Sequence, residues 1–325
     1  MRPSFIRRAL LAIALIGAGL GVATSPVQAS HPTAFGPANP PVAYTATVEK
    51  ARTVKGVKGL PKGNLSRANA RLLTGPYYFY AGASQYLAAG ESASSYASNQ
   101  LVSLPALDTA KDSHTLGEVA VQSHNQQQTV EAGWTHDPIV CGAGNSPCLF
   151  TGTWKNGVFR GYNTGFVDWA ANPINVGATL TPNTQKRFQI QYSGGNWWVA
   201  YDLAWIGYFP GTIWTNAPGS VTFDKFGVAQ GFYEVATKST GDTTPCTDMA
   251  NGKLGTDPVG PWATSGTNSL GGTLPGAIAN NFGGFSTIAG IYDHNTINTQ
   301  TTRAGGPGYN AAGTGVGAIG VPVGC

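Results

Sequence analysis

Beyond residue 76 the apolar runs of this 325-residue chain are short, and Gly, Asn or Pro interrupts them again and again. No segment there carries the period of an amphipathic helix, so strands are what the chain has to build with. Thr153-Trp-Lys155 and Val158-Phe-Arg160 flank Asn156-Gly157, and Asn-Gly supplies the two positive φ angles of a type I′ hairpin turn. Lys186 to Tyr192 and Trp197 to Asp202 flank Ser193-Gly-Gly-Asn196 in the same way. No fixed-period repeat is present. Charged residues make up only 10%, which suits an extracellular β-protein better than a helical cytosolic enzyme. The expected fold is all-β, one antiparallel β-sandwich over residues 76–325.

The N-terminus reads as an export signal. Arg2, Arg7 and Arg8 precede an apolar run from Ala9 to Val22, and Val27-Gln28-Ala29 places small residues where a signal peptidase reads. The run is short and glycine-rich for a membrane anchor. Residues 1–29 are therefore expected to be a cleaved signal peptide, and the product to be secreted and not membrane-bound. Residues 30–75 are expected to form a basic, partly disordered segment. Residues 1–75 hold ten of the 19 Lys/Arg and a single acid, Glu49, so the remainder is acidic. No aromatic residue interleaves with the bases from Lys50 to Arg71, which argues against nucleic acid. A pro-segment lying on an acidic domain, or a solvated linker, is expected instead.

Four cysteines fit two disulfides in an oxidising compartment. Cys141 and Cys148 bracket a Gly/Asn/Ser/Pro turn, and Cys325, the last residue, would tie the tail to Cys246. No Cys/His spacing points to zinc, so neither metal nor cofactor is expected.

The sequence contains no GxSxG, HExxH, P-loop or GxGxxG. Glutamate is more informative, because only five occur: Glu49, Glu91, Glu118, Glu131 and Glu234. Glu131 and Glu234 sit inside apolar, strand-like runs, where a half-buried carboxylate is costly unless paired or used. Alternation puts Glu131 on one face with Thr129 and Gly133, and Val130, Ala132 and Trp134 on the other. Glu234 shares its face with Phe232 and Ala236. The bland alternative is two solvent-facing glutamates on an antiparallel sheet.

Glu131-Ala-Gly-Trp134, Gly194-Gly-Asn-Trp-Trp198, Ile206-Gly-Tyr-Phe-Pro210 and Gly231-Phe-Tyr-Glu-Val235 follow one another in an order that resembles the neprosin-domain proteins. Asp248-Met-Ala-Asn-Gly252 is similar to a short motif after the second glutamate there. The resemblance covers about residues 76–260. It implies a β-sandwich glutamic endopeptidase with a removable pro-region and two catalytic glutamates, here Glu131 and Glu234. The plant pattern has Gly-Gly before the second glutamate where this chain has Phe232-Tyr233, which sets proline specificity apart from the rest of the resemblance.

Two carboxyls facing one cleft would share a proton at acidic pH. One would act as base toward water and the other as acid toward the leaving amine. Gln191 or Gln230 would add an amide donor, and Trp134, Trp197, Trp198 and Tyr208 would line the cleft or pack in the core. A peptide or protein is the expected substrate and a monomer the expected state. The rivals are a secreted glycoside hydrolase, which also uses two carboxylates, and a non-catalytic carbohydrate-binding β-sandwich.

Overall fold

The computed structural model describes residues 77–86, 95–102, 107–142, 146–169, 174–256 (except 183, 203, 217–218 and 240–243), 264–266, 268–270, 282–286, 291–298 and 301–306. The expected signal peptide, the basic segment and Cys325 lie outside the described residues. In chain order the first strands are β1 (Tyr78–Tyr86), β2 (Ser95–Val102), β3 (Asp112–Gln122), β4 (Thr129–His136), β5 (Cys148–Lys155), β6 (Val158–Phe159), β7 (Val167–Asp168) and β8 (Thr184–Ser193). There follow β9 (Asn196–Tyr201), β10 (Ala204–Pro210), β11 (Val228–Thr237), β12 (Thr264–Gly266), β13 (Asn268–Leu270), β14 (Phe282–Ser286), β15 (Asp293–Asn298) and β16 (Thr301–Gly305). Among the described residues two single-turn helices interrupt them, α1 (Pro138–Cys141) and α2 (Thr212–Thr215).

A seven-stranded sheet runs β14-β1-β11-β3-β4-β5-β6 and a six-stranded sheet runs β13-β2-β8-β9-β10-β7. Strands β12, β16 and β15 make a third, small sheet. The pairings are antiparallel, and the two large sheets form the β-sandwich read from the sequence. Both hairpins are present. Asn156 and Gly157 have φ of 53° and 75°, and Trp154 pairs with Phe159 across them. Gly194 and Gly195 have φ of 56° and 82°, with Ser193 opposite Asn196.

The core lies between the large sheets. Val119, Val121, Val130, Ala132 and Trp134 of one meet Phe188, Ile190, Trp197 and Val199 of the other in a single cluster. Two of the buried indoles have their N–H groups satisfied: Trp197 Nε1 donates to Phe223 O at 2.8 Å and Trp214 Nε1 to Trp154 O at 2.9 Å. Asp137 caps α1, its carboxylate accepting from Ile139 N at 2.8 Å, with Pro138 at the first helical position. The Cys141–Cys148 disulfide then ties α1 to the start of β5. Among the described residues no helix is long and apolar enough to cross a membrane.

Candidate active site

Strand alternation places the glutamates. Val130, Ala132 and Trp134 of β4 point into the inter-sheet core, so Glu131 projects from the outer face of the seven-stranded sheet. Register shows what shares that face, because residues directly opposite on antiparallel strands point the same way. Ala120 pairs with Glu131 on β4 and with Gln230 on β11. Glu118 pairs with Gly133 and Phe232, and Leu116 with Thr135 and Glu234. Glu131, Glu118 and Glu234 therefore mark a diagonal across β4, β3 and β11. At strand spacings of about 4.8 Å and rises of about 3.3 Å, a flat sheet puts roughly 16 Å between the outer two Cα atoms and roughly 8 Å from Glu118 to each.

All three glutamates are 0% exposed. A carboxylate in that position needs donors. Trp154 Nε1 donates to Glu131 Oε1 at 2.7 Å. His114 Nε2 lies 2.7 Å from Glu234 Oε1, and its Nδ1 is 4.0 Å from Asp137 Oδ2. Tyr80 pairs directly across from Glu234. Burial first, then the Glu234 charge, holds the Tyr80 hydroxyl well above its usual 10.0. Gly152, opposite Glu131, keeps the space that the carboxylate uses: a Cβ there would stand 2.7 Å from Glu131 Oε2.

The same face carries Tyr78, Tyr80, Leu116, Phe150, Tyr162 and Phe232 as a second apolar cluster. Tyr162 is 0% exposed and packs edge-on against Phe150 and Phe159, with centroids 5.4 and 5.2 Å away. At the α1 end a pocket of about 330 Å³ is lined by His114, Asp137, Pro138, Ile139, Thr237 and Lys238, among others.

Asp112, at the start of β3, also borders this pocket. Its carboxylate accepts from Cys246 N at 2.8 Å and Thr247 N at 2.7 Å, yet desolvation wins and raises it above 3.8. A raised carboxyl favours the fold most below its unfolded value, and that contribution is lost as pH climbs through the folded value. Asp112→Asn should therefore flatten the pH dependence of Tm above pH 3.8, which thermal melts of both proteins across acidic pH would show.

The other residues singled out in the sequence fall elsewhere. Trp134 and Trp197 are in the inter-sheet core. Trp198 and Tyr208 belong to a separate cluster with Ala200 and Trp205, on the opposite face of the six-stranded sheet from that core. None of the four shares a face with the glutamates. Gln189 donates to Gln191 at 3.0 Å on that second sheet, whereas Gln230 is buried on the glutamate face, donating to Ser84 Oγ at 2.8 Å. Sequence reasoning passed over Glu118, His114, Asp137, Trp154 and Tyr162. For Glu118 and His114 the signal was available, since both alternate with the core residues of β3.

Residues 111–264 match the family model described as Neprosin. Among curated protein sequences none matches the chain. Similar solved structures include scytalido-glutamic peptidase with a peptide-based transition-state analogue (TM-score 0.37, 10% identity, 71% of this chain and 98% of that one). SCP-B, of the eqolisin peptidase family, in complex with the tripeptide Ala-Ile-His, has TM-score 0.33 and 8% identity over 70% of this chain and 98% of its own. Carbohydrate-binding module CBM66 from Bacillus subtilis has TM-score 0.27 and 11% identity over 61% and 96%.

Proposed function

From the premise that residues 111–264 are a neprosin domain, we propose that this chain is a secreted glutamic endopeptidase cutting peptide bonds, those after proline among them, at acidic pH. Glu131 and Glu234 are its catalytic residues. The observation that carries this reading is the placement of both carboxylates, fully buried, on one face of the domain's sheet, each with a nitrogen donor 2.7 Å from one oxygen. Two solvent-facing surface glutamates would need neither feature.

The register separation shapes the mechanism. Glu131 and Glu234 stand too far apart for one shared hydrogen bond, so the scissile amide and the attacking water lie between them, over β3 and beside Glu118. One carboxylate takes a proton as water adds to the carbonyl carbon. The other, protonated at acidic pH, delivers its proton to the leaving nitrogen as the C–N bond breaks. Such a site works while the compartment is acidic, and export places it there. The basic segment at 30–75, ahead of an acidic domain, acts as a pro-segment until it is removed.

Purified from residue 30 and incubated at acidic pH, the chain should shorten its own N-terminus toward residue 76. It should also cut a mixed peptide library, with the bonds mapped by mass spectrometry. Reducing ends released from polysaccharide, with the peptides left whole, would overturn the reading.

A further inference from the structure

The glutamate face poses an electrostatic problem. Addition of water to a peptide carbonyl puts negative charge on its oxygen, and here that oxygen develops among carboxylates. It needs a donor, and one that carries no proton away. Several donors on this face are already committed: Trp154 Nε1 to Glu131, His114 Nε2 to Glu234 and Gln230 Nε2 to Ser84.

Tyr162 differs from these. It is 0% exposed, its ring is fixed between Phe150 and Phe159, and among the described residues its hydroxyl has no hydrogen-bond partner. A buried polar group in that state calls for a reason, since it costs stability. We propose that Tyr162 is a further catalytic residue, whose hydroxyl donates a hydrogen bond to the carbonyl oxygen of the scissile peptide as that oxygen becomes negative. The inference rests on the glutamic-peptidase reading above. The proton stays on tyrosine throughout; the C=O electron pair moves onto the oxygen and returns when the C–N bond breaks.

The surroundings fit this task. Burial, followed by the charges of Asp137, Glu234, Glu118 and Glu131, holds the Tyr162 hydroxyl well above 10.0. It therefore keeps its proton at every pH at which the enzyme works. Asp137, whose charge acts on this hydroxyl, also lines the pocket beside His114.

The test compares Tyr162→Phe and Glu234→Gln with the processed wild-type enzyme on one peptide substrate at acidic pH. Tyr162→Phe should lower kcat about 100-fold, the scale of one lost oxyanion donor, with KM unchanged and Tm equal or higher. A wild-type kcat, a change confined to KM, or a kcat loss accompanied by a lower Tm would each overturn the proposal. Glu234→Gln separates the two layers. An inactive Glu234→Gln beside a fully active Tyr162→Phe removes Tyr162 alone, whereas an active Glu234→Gln removes the glutamate reading and this inference with it.

Discussion

Glu131→Gln and Glu234→Gln should each lower kcat by about 10³-fold or more, because general acid–base groups contribute on the order of 10²–10⁴ and an amide can neither take nor return the proton. The fold should survive both changes. Glutamine matches glutamate in size, and each site already supplies a nitrogen donor, Trp154 Nε1 or His114 Nε2, for the amide oxygen. Relieving like charge on a closed face should hold Tm level or raise it, so activity and stability part company. Glu118→Gln is the informative companion. It stands nearer to each of the other two than they do to one another, by the register of β3 with β4 and β11. If Glu131→Gln still cleaved and Glu118→Gln did not, the pair would be Glu118 with Glu234.

The face was readable before the partners were. Period-two alternation assigned Glu131 and its core-facing neighbours, and the hairpins at Asn156-Gly157 and Gly194-Gly195 followed from turn chemistry alone. What alternation cannot supply is the pairing of strands distant in sequence. Glu131 and Glu234 come within one strand of each other only because β3 is sandwiched between β4 and β11. The contribution of Glu118 depends on that same pairing. Trp154 and His114 were invisible as donors for a related reason: each lies many positions from the carboxylate it serves, 23 and 120 respectively. The tryptophans are conspicuous in the sequence for their size, and size is what sent Trp134 and Trp197 to the core.

Two glycines beside the glutamates should respond oppositely to the addition of one methyl group. Gly133, in the Glu131-Ala-Gly-Trp134 motif, lies opposite Glu118, and a Cβ there would stand 2.1 Å from Gly117 O and 2.8 Å from Glu118 Cα. Those are backbone atoms of the neighbouring strand, so relief requires β3 and β4 to separate in the middle of the sheet. Gly133→Ala should cost about 3 kcal/mol or more, lowering Tm by roughly 6–12 °C for a domain of this size. Gly152→Ala meets something softer. Its Cβ would press on Glu131 Oε2 at 2.7 Å and on Phe159 at 3.1 Å, and a carboxylate on rotatable bonds can swing aside. Tm should then move little, while Glu131 loses its alignment with Trp154 and kcat falls roughly 10–100-fold, as misplacing a catalytic group by about 1 Å does. Thermal melts and kcat measured on both variants separate the two effects. A Gly152→Ala enzyme with undiminished kcat would mean that the position of the Glu131 carboxylate does not matter to the chemistry.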